Sequence, residues 1–60
     1  MDLNELLSTM STELTAANDD AAKFNNGNIS AGTRVRKNMQ AIKVLAQSVR
    51  TRVQELKSNA

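Results

Sequence analysis

Apolar residues recur along the first part of the chain at the spacing of a coiled coil. They are Leu3, Leu7, Met10, Leu14, Ala17, Ala21 and Phe24, separated by alternating intervals of four and three residues. Such a heptad pattern, in which positions a and d are apolar, is typical of a packed α-helix. Asp2 and Glu5 have the spacing of a capping box at the start of that helix. The pattern therefore predicts a helix over about 3–25.

The segment Asn25-Asn26-Gly27-Asn28 interrupts this pattern. Asn and Gly tolerate the left-handed backbone conformation, which favours a helix C-cap and a reverse turn at 25–28. A second heptad pattern follows, formed by Gly32, Val35, Met39, Ile42, Ala46, Val49, Val53 and Leu56. It predicts a second helix over about 29–57, capped by Asn28 or Ser30.

A turn this short forces the two helices to pack antiparallel. In helix 1, position a is occupied by Leu7, Leu14 and Ala21, and the other apolar residues of the pattern are at position d. In helix 2, position a is occupied by Gly32, Met39, Ala46 and Val53, and the others are again at position d. Packed layers then join residues whose numbers add to about 53, such as Leu14 with Met39. We therefore predict an all-α fold, a coiled-coil-like antiparallel two-helix hairpin that forms one domain over residues 1–60.

Two helices alone cannot enclose all of this apolar surface. Leu6 and Leu45 at position g widen it, and Val53 and Leu56 extend beyond the end of helix 1. We therefore predict a homodimer that forms a four-helix bundle. The residues predicted for the core or the dimer interface are Leu6, Leu7, Met10, Leu14, Met39, Ile42, Leu45, Val49, Val53 and Leu56.

The net charge of +2 is unevenly distributed. Residues 1–26 contain five acids and one lysine, a net charge of −4, whereas residues 27–60 contain seven Lys and Arg and one acid, a net charge of +6. Position e of helix 2 carries a basic row, Arg36, Lys43, Arg50 and Lys57, with members about 10.5 Å apart. Position e of helix 1, which flanks this row, offers no acid. An unneutralised row favours polyanion binding over an ion-pair ladder or a solvated face. The candidate nucleic-acid-binding residues are Arg34, Arg36, Lys37, Lys43, Arg50, Arg52 and Lys57.

Composition excludes several other classes of function. The chain contains no His and no Cys, so we expect no enzyme activity, no metal site, no cofactor and no small-molecule substrate. No apolar stretch is long enough for a membrane span or a signal peptide, and we expect a cytoplasmic protein. Because Phe24 is the single aromatic residue, base stacking on single strands is disfavoured. Regularly spaced Lys and Arg suit the phosphates of double-stranded DNA. The residues alone do not rank DNA above the alternatives, which are an RNA-binding helical dimer and an interaction or scaffold hairpin with an acidic protein partner.

One segment around the turn and the start of helix 2 resembles the bacterial linker-histone-like family, the chlamydial-type histones. This segment is Gly27-Asn28-Ile29-Ser30-Ala31-Gly32-Thr33-Arg34-Val35-Arg36-Lys37. The similarity lies in a Gly-Asn-x-x-Ala-x-x-Arg-Val-Arg pattern and continues through Met39-Gln40-Ala41-Ile42-Lys43 and Leu45-Ala46-Gln47. The chain is similar to a short form of that family, without the Lys- and Ala-rich tail. The resemblance implies a DNA-binding protein of the bacterial nucleoid, with Arg34, Arg36 and Lys37 at the basic positions of the pattern.

Overall fold

The structure, a computed structural model, describes residues 1–58. They form two α-helices, α1 (Leu3–Asn25) and α2 (Ile29–Ser58), which pack against each other as an elongated hairpin. No strand occurs in this part of the chain. The predicted all-helical hairpin is therefore confirmed. The sequence pattern placed the helices at about 3–25 and about 29–57, within one residue of these bounds.

The start of α1 is stabilised by a reciprocal pair of hydrogen bonds. The Asp2 carboxylate accepts a hydrogen bond of 2.8 Å from the backbone N–H of Glu5. The Glu5 carboxylate in turn accepts one of 3.4 Å from the backbone N–H of Asp2. These bonds satisfy N–H groups that have no partner within the helix, as the capping-box spacing predicts.

The turn between the helices depends on one residue in the left-handed region. Gly27 has a φ of +102°, a conformation that costs glycine little and other residues more. Asn28 can therefore donate its backbone N–H back to the Lys23 carbonyl, at 3.0 Å, which closes the end of α1. The Asn28 side chain also accepts a hydrogen bond of 3.2 Å from the N–H of Ala31. Asn28 thus caps α2, and the chain reverses direction within three residues.

The contact between the helices uses a different pair of heptad positions from the predicted one. Leu6 and Ala31 at position g and Ala17 at position d are the buried apolar residues, with 6%, 0% and 5% of their surfaces exposed. In contrast, Leu7 and Leu14 at position a remain 51% and 52% exposed. The prediction that positions a and d form the contact within one chain is therefore wrong for the large residues at position a. Positions d and g form most of the contact, and Gly32 at position a contributes to it near the turn.

Each helix is thus rotated about its own axis relative to the predicted packing, and the residues at position g explain why. The Asn38 amide donates a hydrogen bond of 2.7 Å to the Glu13 carboxylate across the hairpin, and this contact is partly buried. Ala31 is small enough to let the helices approach closely near the turn. Leu6 and Leu45, which we expected on a flank between protomers, lie within the hairpin instead, one buried and the other half-buried.

The antiparallel register follows from two polar contacts and one apolar contact. Glu13 pairs with Asn38 and Asp20 with Arg34, so the paired residue numbers add to 51 and 54, near the predicted 53. Close to the turn, the Phe24 ring lies over Gly32. Although the pattern placed Phe24 in the core, half of its surface is exposed. Its ring covers the end of the hairpin rather than the centre.

Candidate nucleic-acid interface

The basic row follows one edge of α2. Its four members occupy every seventh position of a continuous helix, and all four side chains are exposed. A rise of 1.5 Å per residue separates neighbours by about 10.5 Å and gives the row a length of roughly 30 Å. The helix therefore presents these cations along one edge, toward solvent.

Ion pairing leaves this row unneutralised. In the part of the chain that the structure describes, the ion pairs are Arg34 Nε with Asp20 Oδ1 at 3.0 Å and Arg52 Nη1 with Glu55 Oε2 at 3.3 Å. Neither pair involves a residue of the basic row. Glu13, another acid of α1, accepts the hydrogen bond from Asn38. These acids therefore do not neutralise the row, since their contacts lie at positions c and g.

The structure separates the seven predicted basic residues into two groups. Arg36, Lys43, Arg50 and Lys57 share the edge at position e. Arg34 at position c and Arg52 at position g carry the ion pairs on the opposite edge, and Lys37 at position f is exposed on the outer side of α2. The predicted register places Arg34 level with Asp20 along the hairpin, but it does not determine which sides of the two helices face each other.

An exposed apolar face borders the basic row. It consists of the exposed position-a residues Leu7, Leu14, Met39 and Val53. A cleft near the turn shows that both helices contribute to the same edge of the hairpin. Its walls are formed by residues of both helices, mostly at positions a, d and e, among them Ala21, Phe24, Asn25, Ile29, Gly32 and Arg36. The row and the apolar face are thus adjacent.

Ile29 continues this apolar surface at the turn, with 81% of its area exposed. It was not among the residues predicted for an interface, although the heptad count assigns it to position e, one heptad before Arg36. Ile29 and Phe24 line the same cleft. The apolar face therefore reaches the turn end of the molecule.

A metal site and a membrane-spanning helix would each require a particular arrangement of the residues that the structure describes. Among residues 1–58, no three His, Cys, Asp or Glu residues lie close enough together to hold a metal ion. No helix in this range is both long and apolar enough to cross a bilayer. The chemistry that the site offers is electrostatic, a line of cations beside an apolar surface.

Comparison with known proteins gives one match. The family model described as Histone H1-like protein Hc1 matches residues 4–59, a range that includes α1 apart from its first residue, the turn and every residue of the basic row. Neither the curated proteins nor the solved structures provide a match.

Proposed function

The chain belongs to the histone H1-like Hc1 family, and we propose that it is a non-enzymatic, nucleoid-associated protein that binds the backbone of double-stranded DNA with little sequence preference. The observation that supports this proposal is the basic row, exposed and without an acid partner among residues 1–58. Family membership supports DNA as the polyanion and the bacterial nucleoid, in the cytoplasm, as its location.

The length of the row suits contact with several phosphates. Double-stranded DNA carries one negative charge for about every 1.7 Å of helix axis, so a row roughly 30 Å long lies alongside many of them. Contacts of this kind position a protein on the duplex but carry no sequence information. We therefore expect affinity to come from the release of counterions.

We further propose that the working form is a homodimer. One hairpin buries few apolar side chains completely, and the apolar face of four large residues is left exposed. The accessible surface of the whole hairpin is 4630 Å². Size scaling gives about 3,800 Å² for a folded 6.5 kDa monomer, so the hairpin exposes about 800 Å² more than expected. A standard protein interface covers about 800 Å² on each partner. The excess is therefore of the size that a second copy would cover.

A salt titration on duplex DNA tests the DNA-binding proposal. If the dimer binds up to about eight phosphates, the log–log slope would reach about −7, and partial engagement gives an expected slope of about −3 to −6. Arg36→Ala should weaken binding to two unrelated duplexes equally and reduce the slope by about 1 for each phosphate that is no longer bound. Arg34→Ala is the matched control, since Arg34 is paired with Asp20 on the opposite edge. It should change the slope much less.

Several results would contradict the proposal. Equal effects of the Arg36 and Arg34 variants would show that the row is not the contact surface. A marked preference for one duplex would show base recognition. Absence of duplex binding near physiological salt, with binding to a structured RNA or an acidic polypeptide instead, would establish one of the alternative functions.

A further inference from the structure

The two helices differ at position e, where each borders the apolar face. On α2 this position carries the basic row. On α1 it carries short, uncharged polar residues, Asn4, Ser11, Asn18 and Asn25, and all of them are exposed. The apolar face therefore has one cationic rim and one neutral rim. A second copy that covers the face must bring these rims together in one of two ways.

Charge distinguishes the two ways of pairing. In an antiparallel helix pair, position e of one helix flanks position e of the other. If α2 packed on α2 of the partner, eight cations would line a single interface and repel each other. If α2 packs on α1 of the partner, each basic row lies beside neutral amide and hydroxyl groups. The second pairing avoids the repulsion and leaves the cations available to a ligand.

This pairing fixes the symmetry of the dimer. The twofold axis runs along the bundle, every neighbouring pair of helices is antiparallel, and both turns lie at the same end. The residues at position g pack within each hairpin, as the structure shows for Leu6 and Ala31. The apolar faces then pack between the hairpins, and the residues at position d face the centre of the bundle. Rotation by 180° places the two basic rows on opposite sides of the bundle.

We propose that the dimer bridges two DNA duplexes, one on each basic row, an inference that rests on the proposed DNA-binding function. The helices are about 10 Å wide, so the rows lie on opposite sides of a bundle roughly 20 Å across and face away from each other. A straight duplex that lies along one row cannot reach the other. A second duplex occupies the second row.

A two-duplex capture assay tests this inference with the whole chain. One duplex is fixed to beads, a second duplex of different length is labelled and free, and recovery of the label measures bridging. Wild-type protein should recover the label. Leu14→Asp places a charge in the apolar face, on α1 rather than on the helix that carries the basic row. It should still bind single duplexes with about the salt slope of the wild type, because one duplex contacts one basic row in either case, but should lose at least tenfold in label recovery.

Thr12→Asp is the matched control. It adds the same charge to α1 at position f, on the outer surface, and should bridge as the wild type does. Leu14→Ser provides a milder variant of the same site, and circular dichroism of each variant verifies that the helices are formed.

The possible outcomes separate the two proposals. Wild-type protein that binds duplex DNA but recovers no label would overturn bridging and leave the proposed function intact. Recovery that is unchanged in a folded Leu14→Asp variant would overturn the arrangement of the dimer. Wild-type protein that binds no duplex at all would overturn the DNA-binding function itself, and the bridging inference with it.

Discussion

Gly32 illustrates how a single residue fixes the distance between the helices. Within a helix, glycine costs about 1 kcal/mol relative to alanine, so its presence needs a compensating contact. A Cβ at this position would lie 2.6 Å from Cδ1 of Phe24, closer than two carbon atoms can approach. The absence of a side chain therefore gives the Phe24 ring its place against α2. The heptad pattern assigned Gly32 to position a, but it did not show that the Phe24 ring covers it.

We predict that Gly32→Ala stabilises the protein by clearly less than about 1 kcal/mol, because the gain in helix propensity is offset by displacement of the Phe24 ring. In a Phe24→Ala background, the same change should give the full gain. Urea unfolding of the four proteins in this double-mutant cycle measures the difference. If the two substitutions are additive, the ring and Gly32 do not interact in solution.

Arg34 shows which feature of the candidate site the sequence pattern did not predict. Composition and the family pattern place it with the other basic residues, and the exposed members of the basic row follow directly from the heptad count. The hydrogen bond of Arg34 to Asp20 depends on how far each helix is rotated about its own axis. A linear pattern leaves that rotation open, so the pairing was not predicted.

At the scale of the helices, local signals predicted their limits and the turn. The Asp2–Glu5 capping box and Gly27 act through backbone hydrogen bonds and φ angles within a few residues, so the sequence is sufficient to locate them. The choice of contact face is not local. Positions a and g lie on either side of d, and apolar character favours a. The structure places g inside because Asn38 and Glu13 can bond to each other there and Ala31 permits close approach.

Leu6 and Leu7 offer a matched pair to test this face. Leu6 has 6% of its surface exposed and Leu7 has 51%. At low micromolar concentration, where association is weakest, Leu6→Ala should lower the free energy of unfolding by about 2 kcal/mol or more, the usual cost of truncating a buried leucine. Leu7→Ala should cost less than half as much. Urea denaturation followed by circular dichroism compares them. Equal costs would indicate that positions a and d form the contact in the free hairpin.

At the scale of the whole molecule, the hairpin divides its surface by charge and by polarity. The acids of α1 are engaged in its cap or across the hairpin, with the exception of Asp19, while α2 keeps its basic row exposed. The apolar face lies beside that row rather than opposite it. A second copy of the chain that packs on the apolar face therefore also determines on which side of the assembly the basic row lies. For this reason association and polyanion binding are coupled in the arrangement proposed above.

The same surface predicts how stability depends on concentration. If folding is linked to association, only the folded hairpin binds its partner, and each tenfold rise in chain concentration should add about 1.4 kcal/mol per dimer to the free energy of unfolding. The midpoint of urea denaturation should therefore rise with concentration for the wild type and for Thr12→Asp. For Leu14→Asp it should be lower and independent of concentration, because a carboxylate buried between two apolar faces would lose its hydration without a partner.

Sedimentation at the same concentrations provides the independent measurement. It should show dimers where the midpoint is raised and monomers where it is not. A wild-type midpoint that stays constant over a hundredfold range, together with a monomer in the centrifuge, would show that the hairpin is stable alone. The large exposed leucines at position a would then have no role in folding. The basic rows could then act only one at a time, on a single duplex.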